Sequence, residues 1–150
     1  MIKYTEVYFM KLGIVGYSSG KFDEEKAKVL ILQGIMTVEL QAGKVISELV
    51  SGLTDQGVPG LAYHLVEDME VKTVGIACAK ASEYDCYPVD DEQIVGEDWG
   101  DESPTFLSYV DAIVRVGGGD QSLQEIKDFK KLKPNATVVE FELAREQEDD

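Results

Sequence analysis

Five short, predominantly apolar segments punctuate this sequence, and they constrain its fold more than any other feature. They are "KLGIVGY" (11–17), "KVISELVSG" (44–52), "KTVGIACA" (72–79), "DAIVRVGGG" (111–119) and "ATVVEFEL" (136–143). Runs of this length, rich in Val and Ile and bounded by Gly, read as strands buried on both faces. Between them lie patterns of helical period: "DEEKAKVLILQGIMTVEL" (23–40), "GLAYHLVEDM" (60–69), "TFLSYV" (105–110) and "DQSLQEIKDFKKL" (120–132). Strands that alternate with helices, with glycine turns after the strands, specify a parallel sheet joined by right-handed crossovers. The expected class is α/β: a three-layer sandwich around a mostly parallel sheet of about five strands. At 150 residues one domain is expected, 1–150.

The helices carry their own signals. Asp23 is placed to cap the first, with Glu24 and Glu25 in its first turn where the helix dipole favours acids. Ala27, Leu30, Ile31, Ile35 and Val38 form its apolar stripe, and Val29, Leu32 and Met36 broaden it, so burial on more than one side is expected. Gly34 inside this helix marks either close packing or a break. In the last helix Leu123, Ile126, Phe129 and Leu132 are expected to face the sheet.

Three segments stand outside this scheme. Residues 1–9 read as an extension, either a further strand or an arm. Residues 80–104 form a polar, acidic insertion, with room for a short strand around Gln93–Val95; it either covers a site or is inert. Residues 144–150 read as an acidic tail.

A net charge of −15 excludes nucleic acid as a bulk partner, because a phosphate backbone needs clustered Lys and Arg. A single phosphate at a helix N-terminus is compatible with it. No apolar run approaches a membrane span, and the N-terminus lacks the pattern of a signal peptide. A cytoplasmic protein with no membrane partner is expected. The two cysteines, Cys78 and Cys86, and the lone His64 make no zinc constellation. No metal, no cofactor and no disulfide are expected.

The functional signal lies at the strand ends. In parallel α/β sheets ligands bind beyond the carboxyl ends of the strands, and three glycine- or serine-rich turns fall there: "GYSSG", "SGLTDQGVPG" and "GGGDQS". Successive glycines let the backbone turn sharply and let a ligand approach without a Cβ in the way. The N–H groups of Asp120, Gln121 and Ser122 open a helix and lack intrahelical acceptors, so with the Ser122 hydroxyl they can hold a phosphate. The plainer reading is a tight turn with Asp120 as the cap. The candidate ligand-binding residues are Gly16, Ser18, Ser19, Gly20, Gly57, Gly118, Gly119, Asp120, Gln121 and Ser122. Lys21 is a candidate source of positive charge. "GYSSGK" is not a Walker A loop, since its spacing fails. Thr54, Asp55 and Gln56 either read a sugar or base or cap a loop. Trp99 and Tyr87 either stack on a base or anchor the acidic segment. His64 reads as a packed or half-exposed residue.

The order of the elements and the motif "GGGDQSLQE" resemble the Rossmann-like superfamily of the LOG proteins, cytokinin-activating phosphoribohydrolases often mislabelled lysine decarboxylases. Its relatives include the nucleotide-sensing SLOG domains and the molybdenum-cofactor carrier proteins. The hallmark of the family is P-G-G-x-G-T-x-x-E after a strand. Gly118 and Gly119 match its glycine pair, Ser122 stands for its threonine and Glu125 matches its glutamate. "DQGVPGLA" and "GIVGYSSG" resemble two further turns of the family. The resemblance implies a Rossmann-like fold, a nucleotide-like ligand, Glu125 as catalytic general acid/base or ribose ligand, and a homo-oligomer, a dimer. Two departures bear on activity. Gln121 replaces the third motif glycine, and "SPTFLSYVDA" lacks the arginine that LOG enzymes carry before this strand; the chain has only Arg115 and Arg145.

Three functions follow. The first is binding of a nucleotide or related phosphorylated small molecule. The second is hydrolysis of a nucleoside 5′-monophosphate to base and ribose 5-phosphate. The third is a structural or interaction role on a scaffold that has lost its site.

Overall fold

A central strand, β1 (Phe9–Gly16), organises the molecule in the computed structural model, which describes residues 6–146. On one side it pairs with β2 (Val45–Ser51), on the other with β5 (Ala112–Val116). β3 (Lys72–Ala77) and β4 (Asp91–Ile94) extend the β2 side, and β6 (Val138–Phe141) extends the β5 side. The order is β4-β3-β2-β1-β5-β6, and all five pairings are parallel. The sixth strand, β4, comes from the acidic segment, close to the stretch expected to hold one. The extension at 1–9 resolves in part: β1 starts at Phe9, and Val45 N donates to Tyr8 O (2.9 Å) just before it. Residues 1–5 and 147–150 lie outside the described part.

Strand alternation divides the core into two layers. Leu12, Ile14, Val114 and Val116 pack on one face with Ala27, Ile31, Ile35 and Val38 of α1 (Glu24–Ala42) and Val58 and Ala62 of α2 (Gly57–Leu65). Val15, Val74, Ile76 and Ile113 pack on the other with Phe106 and Leu107 of α3 (Ser103–Tyr109) and Ile126 and Phe129 of α4 (Asp120–Leu132). A period of two along each strand thus feeds both helical layers.

α1 starts and stops where the sequence marks it. The Asp23 carboxylate accepts from Lys26 N (3.1 Å), and Gly43 closes the helix in the left-handed region, its N–H donating to Glu39 O. Gly34 marks close packing: a Cβ there would meet the Val114 side chain at 2.6 Å. The broad stripe is not fully buried. Val29, Leu32 and Met36 all stay exposed, as does Leu40, because the sheet covers only one side of the helix. α2 begins earlier than its pattern shows, at Gly57, so Pro59 lies in its first turn. In α4 only Ile126 and Phe129 of the four expected residues are buried; Leu123 and Leu132 are exposed. Residues 123 and 132 fall on opposite sides of a helix of 3.6 residues per turn, so a strict three-residue repeat cannot all face one sheet.

Arg115 is the unusual core residue. It lies in β5 at 3% exposure, its Nε donating to Glu140 (2.9 Å), its Nη1 to Gly117 O (2.9 Å) and its Nη2 to Glu142. Burial works against Glu140's charge, but hydrogen bonds from Arg115 and Lys130 outweigh it and hold the carboxyl below its usual range. Tyr63 is the other buried polar anchor. Its single hydroxyl proton faces both Gly52 O and Val74 O, and its oxygen accepts from Ser51 N, tying the end of β2 to the middle of β3.

Candidate functional site

The strand order reverses at β1. Its chain leaves through α1 toward β2, while the neighbour on the other side, β5, feeds α4. The crevice beyond such a switch point is where parallel α/β sheets hold ligands. A cavity of about 290 Å³ opens there, between the turn after β1 and the start of α4. A second recess of about 300 Å³ adjoins it and shares Ser18, Thr54, Trp99 and Gln121. Each is of the scale of a small-molecule pocket.

The β5 turn has the geometry its glycines permit. Gly118 has φ of +107°, and a Cβ there would lie 2.6 Å from Ser122 Oγ. Gly119 follows as the N-cap of α4, with no side-chain cap and open space where its side chain would be. Asp120 therefore lies in the first turn and does not cap the helix. The first N–H groups of α4 have no intrahelical acceptor. Ser122 is buried, and its Oγ donates to Gly16 O over 3.4 Å, joining the two turns.

The structure brings Gly16, Ser18, Gly119, Asp120, Gln121, Ser122 and Glu125 together on the cavity at the switch point. Ser19 lines the adjoining recess. Gly20, Gly57 and Gly118 line neither space. Gly57 abuts the Tyr17–Ser18 backbone, and Val58 N donates to Tyr17 O (2.7 Å). Thr54 lines both spaces and Gln56 the recess, whereas Asp55 pairs with His64 (2.9 Å) away from the cavity. Lys21 is exposed and lines neither space; its carbonyl accepts from Glu146 N (2.8 Å).

The acidic segment is a wall of the site as well as a sheet edge. Trp99 lines both spaces and Ala81 the cavity, whereas Tyr87 stacks on Tyr63 at 5.0 Å and stays away. Glu102, at the start of α3, is 8% exposed and lines the cavity. Its carboxylate accepts from Gly100 N (3.1 Å) and from the Gln121 amide (3.3 Å). Glu125 accepts from Ser103 Oγ (3.2 Å). Burial pushes the Glu125 carboxyl up to about 7 against that hydrogen bond, and the Glu102 charge pushes the same way.

Two of these residues escape a reading of the sequence. Glu102 is one acid among many in its segment, and nothing local distinguishes it. Arg145 belongs to the stretch that reads as an acidic tail, yet it lines the cavity. An antiparallel bridge between Phe22 and Arg145 lays that stretch along the β1 turn. Among the described residues no group of three or more His, Cys, Asp or Glu side chains is placed to hold a metal ion. Cys78 and Cys86 are both free.

No family sequence profile and no curated protein sequence matches the chain. Solved structures do. The X-ray structure of TM1055, a structural-genomics target, superposes with a TM-score of 0.64 at 23% identity, over 82% of this chain and 69% of that one. The molybdenum cofactor binding protein of the phototrophic bacterium Rippkaea orientalis gives 0.63 at 18% identity, over 93% and 80%. The molybdenum cofactor carrier protein of Chlamydomonas reinhardtii gives 0.60 at 16% identity, over 91% of both chains. The chain shares the fold of these proteins. The Rossmann-like α/β architecture implied by the resemblance in "GGGDQSLQE" is the architecture present, with six strands in place of about five. At these identities the likeness carries the fold and not the ligand.

Proposed function

We propose that this chain binds, in the cytoplasm, a nucleotide or related phosphorylated small molecule beyond the carboxyl ends of β1 and β5. One observation carries the reading: the uncapped N-terminus of α4, with the bare Gly119 before it, opens into the cavity at the switch point of the sheet. Gly16, Ser18, Ser122 and the N–H groups of Asp120 and Gln121 would surround the phosphate, with Ser19 beyond them. Gly20, Gly57 and Gly118 would shape the turns from behind. Trp99 offers a face on which a base can stack. Two of the fold neighbours are named for binding or carrying molybdenum cofactor, which supports small-molecule binding on this scaffold. No helix among the described residues is long and apolar enough to cross a membrane.

A specific observation favours the hydrolase as a second reading. A carboxyl brought to about 7 can both give and take a proton near neutral pH, and Glu125 faces the same cavity. Incubating the pure protein with nucleoside monophosphates, NAD, ADP-ribose and cyclic nucleotides, followed by chromatography, separates the readings. A panel member retained by the protein and recovered intact on denaturation is the expected result. Free base that appears from a monophosphate and disappears in Glu125→Ala would establish the hydrolase. Neither retention nor turnover would defeat both and leave an interaction role.

The partner on the outside of α1 is, in this reading, a second copy. Val29, Met36 and Leu40 are exposed there, with Val7, Tyr8, Phe9 and Val45 exposed on neighbouring chain. From Val29 to Ala42 the helix carries one charged residue, Glu39. Two chains of charge −15 repel each other least across such a neutral face. Light scattering is expected to give a dimer, and Leu40→Glu a monomer.

A further inference from the structure

The cavity has an electrostatic imbalance. Among the described residues, Glu102, Asp120 and Glu125 bring three carboxyl groups to its lining, and Arg145 is the sole cationic side chain there. A helix N-terminus offers about half a positive charge, and Asp120 in its first turn opposes it. An anion entering this space therefore needs Arg145.

The chain holds that side chain in place from three directions. The guanidinium carbon lies 4.8 Å from the centroid of the Tyr17 ring, a cation–π arrangement. Arg145 Nη2 donates to Ser19 O (3.1 Å). The Tyr17 hydroxyl donates to Leu143 O (2.8 Å), and Leu143 is buried, so one tyrosine fixes both the guanidinium and the chain that carries it. Gly20 completes the seat. Its φ is +91°, and a Cβ there would stand 2.9 Å from Arg145 Nε. A guanidinium has five N–H donors in a rigid fork, and one bond to Ser19 leaves donors free.

We propose that Arg145 is the contact for the anionic group of the ligand, and that the segment after β6 is a strap that carries it across the β1 turn. The proposal rests on the reading that the cavity takes a phosphorylated small molecule. The ligand class is then a phosphate monoester with an uncharged polar body. Its phosphate lies between the Arg145 fork and the start of α4, and its hydroxyl or amino groups donate to the carboxyl groups deeper in. The strap also explains the glycine of "YSSG": Gly20 supplies the room for the guanidinium beside the Ser19 carbonyl.

The test uses adenosine 5′-monophosphate and adenosine as probes, by equilibrium dialysis against wild type, Arg145→Gln, Arg145→Lys and Gly20→Ala. The expected result is that Arg145→Gln weakens the monophosphate at least tenfold and leaves adenosine within twofold. Arg145→Lys should fall between, since it keeps the charge and loses the fork. Gly20→Ala, which displaces the guanidinium without removing it, should reproduce the selective loss. If wild type prefers the monophosphate and Arg145→Gln keeps that preference, the arginine contact is overturned while the phosphate site stands. If Arg145→Gln weakens both probes equally, the strap is structural only and the contact is overturned. If wild type does not prefer the monophosphate, the phosphate reading itself fails and the contact with it.

Discussion

The β5–β6 edge of the sheet and the mouth of the cavity each hold one of the two arginines of this chain. At the sheet edge, Arg115 is buried and meets Glu140, Glu142 and the Gly117 carbonyl. At the mouth, Arg145 is exposed and meets an aromatic face and one carbonyl; among the described residues no carboxylate pairs with it. The first charge is consumed by its neighbours and shapes the β5 turn from behind, because its bond to Gly117 fixes the residue that begins the glycine run. The second is held in position but not neutralised. A buried charge must be matched to persist, and a charge meant for a ligand must be positioned by groups that leave its field intact.

The strongest way to break this contrast is at the sheet edge. Arg115→Met leaves Gly117 O without its donor and Glu140 without its main partner. We expect a loss of about 3 kcal/mol or more in urea unfolding. A loss below about 1 kcal/mol would mean that the pair is offset by its own desolvation.

Glu125 sharpens the comparison from the acid side. Like Glu140 it is partly withdrawn from water, but among the described residues no cation pairs with it, so its carboxyl rises where that of Glu140 falls. Its folded value, about 7, lies above the unfolded value of about 4.3. The folded state therefore holds this proton more tightly, and stability is lost as pH rises from about 4.3 through 7. Glu125→Gln removes that loss. The variant should match wild type near pH 4 and exceed it by about 3 to 4 kcal/mol at pH 8 in urea titrations. Equal stability at pH 8 would show that the carboxyl ionises without penalty.

The smallest effect is expected at the mouth. Arg145→Gln should change stability by less than about 0.5 kcal/mol, because an exposed side chain contributes little to folding. A thermal shift of several degrees without ligand would make the strap part of the fold and erase the contrast.

Much of the architecture was legible along the chain. The five apolar runs, Asp23 as a cap and the glycines after β5 are local signals, and local signals act through neighbouring residues. The same holds for the seven candidates that gather on the cavity, from Gly16 to Glu125, because a parallel sheet sends its strand ends to one edge. The acidic segment was harder. β4 has four residues, the first two of them acids, and an edge strand can leave half its side chains in water, so its apolar pattern is weak.

The sequence by itself determined the strand–helix alternation, the parallel sheet and the place of the glycine turns, because backbone freedom and side-chain period are written residue by residue. Tertiary structure alone decided that Glu102 comes to share a cavity with Glu125, that one arginine is buried in the sheet and that the other reaches a turn 126 residues earlier in the chain. Those contacts depend on which strand lies beside β1 and where the chain goes after β6. Long-range pairing of that kind is set by the packing of the whole sheet and leaves no mark on the local pattern.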